Sequence, residues 1–341
     1  APLTHSLVPE RGTGSPTFTR ASTATVMGYG PTANPGDDAI LLTVAANEAR
    51  FVGARRISEG VWSNTFADGS LIPAATNTGY LAEGARTQIL ATADIRDMTT
   101  AAWTLGATMT RARTSVGADG AANSANRLTG GAVAATNTCY TTIVAAASSR
   151  TYSALVKRVT GTGPVRIVQT GTETDISSQL ATTGYALVQL TASVLNVAVG
   201  FKIDTNGDAI DVDFNQFEAG AFASSRIAAV GTRAADVLTY PSAGNIDGTV
   251  GAAYCEIKNN WVTSVGTSEW GLSFNTSGAG MIEAGDNSSF AFRAYDGTNT
   301  VTATAGNSNT SVVKQAMGWG GTTLLAARNG TTASGTFDGD M

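Results

Sequence analysis

The run IDVDFNQFEAGAFASSRIAAVGTRAADVLTY, residues 210–240, sets the frame for interpreting the rest of the chain. Apolar side chains alternate with polar ones in its first part, as Ile210, Val212 and Phe214 against Asp211, Asp213 and Asn215. A period of two with one apolar face predicts a half-buried β-strand, with Phe214 in the core. The FKI run at 201–203 and the DTNGD turn at 204–208 predict a partner strand, joined to it through an Asn-Gly hairpin.

The composition of the 341 residues favours many short strands over helices. Hydrophobic residues make up 43% of the chain, charged residues only 14%, and glycine occurs 39 times. Such a mixture is typical of strands joined by Gly and Asn turns rather than of helices with many surface ion pairs. The sequence therefore predicts an all-β protein.

Charge and hydropathy exclude two classes of partner. The net charge is −5, and no cluster of Lys and Arg is present to bind phosphates, which argues against nucleic acid. No apolar run approaches the roughly 20 residues of a membrane span. The first residues form neither a basic nor an apolar signal segment, so we expect synthesis in a cytoplasm. Cys139 and Cys255 lack C-x-x-C spacing and are expected to be two separate buried thiols.

The pattern divides the chain into three parts. Residues 1–79 hold most of the prolines and few periodic runs, which predicts an extended arm with a few strands. We expect its apolar face to be buried against the next domain or against neighbouring subunits. Residues 80–240 contain short alternating runs spaced by about 10 to 15 residues, which predicts one antiparallel sandwich. A new alternating series begins after residue 241, with strands predicted at 253–258, 270–274, 289–297, 311–319 and 323–330.

Short motifs recur in order along the first two parts. They are F-T-R-A-S-T-A-T at 18–25, E-G-A-R-T-Q at 83–88, W-T-L-G-A-T at 103–108, Q-F-E-A-G at 216–220, S-S-R-I at 224–227 and T-R-A-A-D at 232–236. Together they resemble the jelly-roll module of bacteriophage head-spike and tail-fibre proteins, with mild departures at Gly84 and Gln88. The Thr-rich alternation around Phe18 predicts a short strand with Arg20 on its exposed face.

This resemblance implies a structural protein of a virion. Residues 1–79 would be an assembly and virion-attachment arm, and 80–240 a jelly roll like those of carbohydrate-binding modules. Residues 241–341 resemble a concanavalin-like lectin sandwich whose last strands are expected to lie beyond Met341. The implied partners are a homotrimer of the chain, other capsid or tail proteins and a host-surface polysaccharide, with no membrane insertion.

The residue types speak against an enzyme. His5 is the single histidine, which removes serine and cysteine nucleophile chemistry and a histidine zinc site. A glycosidase would need a carboxylate pair, and no spacing singles one out among Asp175, Asp211, Asp213, Glu218, Glu256, Glu269, Glu283 and Asp286. The D-x-N-x-D run at 204–208 lacks the later ligands of a calcium loop and predicts a turn. No cofactor is expected, although the sequence leaves a structural calcium ion open.

Aromatic side chains are the candidate glycan contacts, because the C–H faces of sugar rings pack on aromatic planes. A sugar could stack on Trp103, Trp261, Trp270, Trp319 or Tyr295. The preferred candidates are Trp261, Trp270 and Tyr295, with Trp261 favoured since it follows the polar run KNN. The alternative is that such aromatics in alternating strands belong to the core. The main hypothesis is non-catalytic adsorption to host glycans. A purely structural capsid-decoration or tail component and a glycan depolymerase are the alternatives.

Overall fold

The protein is described by a computed structural model that covers residues 4–5, 17–73, 79–239, 247–257, 267–272, 282–286, 291–304 and 313–339. Its chain forms two compact units. The first contains Ala1–Val8 and Pro16–Thr239, and the second contains Pro9–Ser15 and Tyr240–Met341. Both units are built from antiparallel strands, which confirms the predicted all-β fold. No helix in the described ranges is long and apolar enough to cross a membrane.

The first unit contains one short α-helix, α1 (Thr92–Arg96), and 3-10 turns at Ala134–Thr136 and Ser177–Gln179. Its strands are β1 (Thr4–His5), β2 (Thr17–Thr19), β3 (Ala24–Gly28), β4 (Ile40–Val44), β5 (Phe51–Val52), β6 (Arg55–Ser58), β7 (Val61–Ser63), β8 (Gly79–Tyr80), β9 (Arg86–Gln88), β10 (Trp103–Leu105), β11 (Thr110–Ser115), β12 (Ala125–Thr129), β13 (Thr138–Ile143), β14 (Ser148–Thr160), β15 (Val165–Gln169), β16 (Thr172–Asp175), β17 (Ala186–Val194), β18 (Val197–Ile203), β19 (Ala209–Ala219), β20 (Gly231–Arg233) and β21 (Val237–Thr239).

Two sheets of this unit form the jelly-roll sandwich. The five-stranded sheet has the order β10-β13-β18-β15-β16, and the seven-stranded sheet has the order β11-β12-β19-β14-β17, with β9 and β20 attached beside β19. Alternating apolar residues of both sheets meet in one core that includes Trp103, Tyr152, Phe201 and Phe217. Cys139 of β13 is a free thiol buried in this core, and burial raises its pKa to about 11.

The predicted hairpin between the FKI run and the strand after it is wrong. β18 pairs with β13 and β15 in the five-stranded sheet, whereas β19 pairs with β12 and β14 in the seven-stranded sheet. Residues 204–208 do form a turn, with Gly207 at a φ of +81°, but this turn leads the chain from one sheet to the other. A period of two specifies which side of a strand is buried and leaves its pairing partner open.

β19 is interrupted by a β-bulge at Phe214. Val212 lies opposite Val156 and Phe217 lies opposite Tyr152, so β19 has one residue more than β14 between these two pairs. Phe214 has a φ of +50° and is 5% exposed, which confirms its predicted burial. Beyond the bulge, the odd-numbered residues of β19 point into the core instead of the even-numbered ones. Asn215 therefore points inward and accepts a hydrogen bond from Tyr152 Oη at 2.8 Å, contrary to its predicted outward position.

The prediction that β19 is half-buried is also wrong, because residues 209–218 are buried on both faces. The carboxylates on the side away from the core are covered and paired. Asp211 accepts hydrogen bonds from Ser115 Oγ at 2.6 Å and from Arg127 Nε at 2.9 Å. Asp213 accepts two hydrogen bonds from the Arg96 guanidinium, each at 2.9 Å.

Residues 17–73 find packing partners within the same unit. Leu41 joins the core of the jelly roll, and its amide donates to the Ala118 carbonyl at 2.7 Å. A smaller apolar cluster of the segment is centred on Trp62, which is 1% exposed, and includes Phe51 at 6%. Much of the apolar surface of this segment is thus covered within the unit, although Ile57, Val61 and Leu71 are exposed. Its proposed role as an assembly arm and its boundary at residue 79 stay predictions.

A buried ion-pair network joins this segment to the jelly roll. The Asp236 carboxylate accepts a hydrogen bond from Arg20 Nη1 at 2.9 Å and a second from Arg50 Nη2. The Glu83 carboxylate lies 2.9 Å from Arg50 Nη1 and 3.6 Å from Arg233 Nη2. The side chains of Arg20, Arg50 and Asp236 have no exposed surface. The predicted outward position of Arg20 is therefore wrong, since its guanidinium is needed to neutralise a carboxylate in the interior.

The second unit is a smaller sandwich. Its strands are β22 (Val250–Ile257), β23 (Thr267–Leu272), β24 (Ile282–Asp286), β25 (Ala291–Tyr295), β26 (Thr300–Thr304), β27 (Val313–Gly320), β28 (Thr323–Arg328) and β29 (Thr331–Thr336). They form two four-stranded sheets, β22-β27-β28-β29 and β23-β24-β25-β26, with Trp319 and Phe337 in the core between them. The strands β24, β26 and β29 had no counterpart in the sequence-based prediction.

Candidate functional site

The outward face of the five-stranded sheet is the candidate binding surface. Along β13, β18 and β15 the inward residues are buried, and they include Cys139, Val199, Phe201, Val165 and Ile167. The residues between them are partly or fully exposed, as period-two alternation requires, except Gly200, which is buried. This face thus differs from β19 of the other sheet, which is covered on both sides.

One row of side chains crosses all five strands on this face. The strand register places Thr104, Tyr140, Gly200, Val168 and Glu173 directly beside one another in that order. Tyr140 is partly buried and is the aromatic member of the row. Because its neighbour on β18 is a glycine, no side chain stands beside the ring on that strand. The row therefore offers one aromatic side chain next to a position that has no side chain.

Gly200 is required by the close approach of β13. A Cβ atom at this position would lie 2.0 Å from the Cys139 carbonyl oxygen and 2.7 Å from Tyr140 Cα. Real Cβ atoms do not come this close to backbone atoms, so any other residue would push β13 and β18 apart. The glycine thus keeps the two strands together and places no side chain beside Tyr140 on β18.

Charged side chains lie at the edge of this row. Arg166 Nε lies 2.8 Å from Asp204 Oδ2, and Lys202 Nζ lies 3.3 Å from Glu173 Oε2. Lys202 follows Gly200 by two positions on β18, so it is a diagonal neighbour of Tyr140 on the same face. Both members of each pair are partly exposed and can exchange a partner for a hydroxyl group. The face therefore combines an aromatic plane with hydrogen-bond donors and acceptors at its edge.

Two of the five aromatic residues considered from the sequence lie in the cores, Trp103 in the jelly roll and Trp319 in the second unit, which removes them as sugar contacts. The other three all belong to the second unit. Trp261 lies outside the described residues, and Trp270 belongs to β23, where its side chain is not among those described. Tyr295 ends β25, is partly buried, and donates a hydrogen bond from Oη to the Gly297 carbonyl at 2.5 Å. The described residues therefore do not bring the three together, and their role in binding stays a prediction.

Tyr140 was not singled out from the sequence, although a signal was present. In TCYTTI, the run of β13, Cys139 and Thr141 alternate with Tyr140 and Thr142, which places the tyrosine on the opposite side from the buried thiol. The second signal is Gly200 in VAVGFKI, the run of β18. Only the register of the two strands shows that the tyrosine and the glycine are neighbours.

Acidic residues considered from the sequence are engaged in structural contacts where the structure describes them. Asp211, Asp213 and Glu218 are buried, and Glu218 accepts hydrogen bonds from the Ser224 amide at 2.6 Å and from its hydroxyl at 2.8 Å. Asp204 and Asp208 of the turn at 204–208 pair with arginines. Within the described ranges, no group of three His, Cys, Asp or Glu side chains is arranged to hold a metal ion.

Comparison with known proteins finds similarity in structure but not in sequence. No protein-family model matches the chain, and no curated protein matches it in sequence. The chain is similar in structure to the CBM22-1 xylan-binding domain of Paenibacillus barcinonensis Xyn10C. The similarity has 14% sequence identity and a TM-score of 0.30, and it covers 41% of this chain and 94% of that domain. At this level it does not decide which ligand this chain binds.

Proposed function

We propose that the jelly-roll unit is a non-catalytic glycan-binding module through which a virion fibre or spike adsorbs to a host-surface polysaccharide. The observation that carries the proposal is the row on the five-stranded sheet, in which Tyr140 lies beside Gly200. A pyranose ring can place its C–H face on the tyrosine, since no side chain of β18 stands directly beside that residue. The virion part of the proposal is supported by the phage-fibre motifs of the sequence.

Polar groups at the edge of the row suit hydroxyl groups. Arg166 and Lys202 supply donors, and Glu173 and Asp204 supply acceptors, so neighbouring hydroxyls of one sugar can be bound by both kinds of group. The charges of the four side chains cancel, which favours a neutral polysaccharide over a polyanion. The row runs across the strands, and consecutive sugar units of a chain can follow it. These features support binding along a polymer rather than of a single monosaccharide.

The test is direct binding of a glycan array, followed by titration of the best polysaccharide. Tyr140→Ala is expected to weaken binding by about tenfold or more, the equivalent of about 1.4 kcal/mol. Its melting temperature should change little, because the ring is only partly buried. Thr142→Ala is the matched control, since Thr142 is exposed on the same face two positions further along β13. Unchanged affinity of Tyr140→Ala would refute this site.

A purely structural role is the second candidate. It is favoured by the finding that motif residues such as Arg20, Glu83, Arg233 and Asp236 lie in the buried network, where they stabilise the unit without a ligand. A capsid-decoration or tail component of this kind would bind no polysaccharide on the array. It would still assemble with other virion proteins. Copurification of the chain with particles would distinguish this structural role from a chain that fails to assemble.

A further inference from the structure

The strand β17 forms an open edge of the seven-stranded sheet. It pairs with β14 over all nine residues of ALVQLTASV, from Ala186 opposite Val156 to Val194 opposite Ser148, without a bulge. In the described part of the chain, no backbone–backbone hydrogen bond joins β17 to any other strand. Every second residue of such a strand directs its N–H and C=O groups away from the sheet.

This edge lacks several of the features that normally prevent pairing with another chain. Exposed edges are usually protected by charged residues, by proline, by bulges or by being short. β17 contains no charged residue, no proline and no glycine, and Leu187 is 47% exposed on it. The neighbouring segment at 221–223 bonds to the side chains of Gln189 and Thr191, on the outer face of the strand.

We propose that β17 pairs antiparallel with β17 of a second copy of this chain, which joins the two seven-stranded sheets into one continuous sheet. A two-fold axis through Leu190, the middle residue of the strand, gives full overlap. Leu187 then lies opposite Ser193 of the second copy, and Val188 lies opposite Ala192. Each pair joins two odd-numbered or two even-numbered residues, so the buried face of one strand continues the buried face of the other. A shift by one residue would place Leu190 on the solvent side.

A second copy fits this edge better than an unrelated partner would. In a two-fold pairing each strand meets its own side chains, so a charged edge would place like charges near one another. An edge without charges avoids this repulsion. The pairing also uses up both open edges at once, over about 30 Å of strand at about 3.4 Å per residue. Assembly therefore stops at two copies along this edge.

The test is the molar mass of the full chain by light scattering after size exclusion, together with two double variants. Leu187 and Ser193 are both exposed in the single chain, so substitutions there leave the core intact. In L187K/S193K, like charges lie opposite each other twice across the proposed axis, and the mass is expected to fall to that of a monomer. In L187K/S193E, opposite charges lie opposite each other, and the dimer should persist.

Circular dichroism and melting curves show that each variant is folded. A monomeric native chain at all concentrations would overturn the proposal. A dimer that survives in L187K/S193K, or one that is lost equally in both variants, would overturn the pairing through β17 and its register. A trimeric mass that neither variant changes would likewise overturn it and would return the trimer implied by the phage-fibre motifs. The pairing is independent of the glycan site proposed above.

Discussion

The guanidinium of Arg20 donates a hydrogen bond at 2.9 Å to the carboxylate of Asp236, across 216 positions of sequence. Both side chains are fully buried, and the same carboxylate also binds Arg50. The segment between β2 and β3 is thereby held to the segment between β20 and β21. Strand pairing of Thr17 with Thr239 lies alongside this contact.

Replacing Asp236 by Asn is expected to destabilise the first unit by about 3–5 kcal/mol, because two buried guanidinium groups lose their compensating charge. Urea unfolding followed by tryptophan fluorescence measures the change. Lys314→Gln is the control, since it also removes one member of an ion pair, with Glu256, but Lys314 is 63% exposed. The control should unfold like the native chain. Equal stability of both variants would mean that the Asp236 network contributes little.

Phe214→Ala is expected to cost about 3–5 kcal/mol, the usual figure for a core aromatic residue. The ring is also stacked under the Arg96 guanidinium, whose centre lies 4.0 Å from the ring centroid. Phe214→Leu should cost less, because it keeps most of the apolar volume. Phe214→Val should cost more than the leucine variant, since a β-branched residue tolerates a positive φ poorly. A melting temperature that is highest for the leucine variant and lower for the valine and alanine variants would verify the bulge.

The stability of the jelly-roll unit should depend on acid through Glu83. Burial by itself would raise the pKa of this carboxyl, but the charges of Arg233 and Arg50 and hydrogen bonds from Ser225 outweigh burial and lower the pKa. A lowered folded-state pKa means that the contribution is complete above the ordinary value of 4.5 and is lost as the pH falls through the lowered value.

Glu83→Gln is therefore expected to be less stable than the native chain at pH 7 and to lose less of its remaining stability on acidification. Urea titrations at a series of pH values down to the acid transition measure both effects. A variant with the native pH dependence would show that other carboxyls, such as that of Glu48, govern acid unfolding. The pKa of Glu48 is also lowered, although burial opposes the effect of its hydrogen bonds from Arg56 and Gly60.

Adsorption of particles that carry the protein is expected to tolerate salt. Recognition by stacking and hydrogen bonds with balanced charges contains little net Coulombic attraction to be screened. Each site is weak, so adsorption depends on many copies acting together, and soluble polysaccharide should compete far better than its monosaccharide. Counts of adsorbed particles across a salt series measure this. A collapse of adsorption at moderate salt would contradict the proposed face and indicate a charged receptor.

Trp261 remains a candidate contact of the second unit, and two tryptophan variants test it. Trp261→Ala is expected to lower glycan binding with little change in melting temperature. Trp319→Ala, at a core position that is 6% exposed, should instead lose about 3–5 kcal/mol of stability. If Trp261→Ala is as destabilised as Trp319→Ala, its ring belongs to the core and the candidate is removed.

Many strands could be predicted from the sequence because they carry a period-two pattern, as the alternation in β19 and the run at 313–320 show, whereas β24, β26 and β29 were missed. Their pairing could not, because the pattern that buries Phe201 is the same whichever sheet β18 joins. The bulge at Phe214 is likewise silent in the sequence, since no glycine or proline marks it. Arg20 was misplaced because a local pattern cannot show a carboxylate that is distant in sequence. Tyr140 could be recognised as a neighbour of Gly200 only from the register of β13 and β18.

The buried thiol of Cys139 can report transient opening of the jelly roll. A thiol with a pKa of about 11 is almost wholly protonated at neutral pH, and in the core it is also out of reach of alkylating reagents. In a Cys255→Ser background, modification of Cys139 can proceed only through transient openings that separate β13 from its neighbours. The rate of labelling in native buffer thus measures how often the sandwich opens transiently. The measurement needs neither heat nor denaturant.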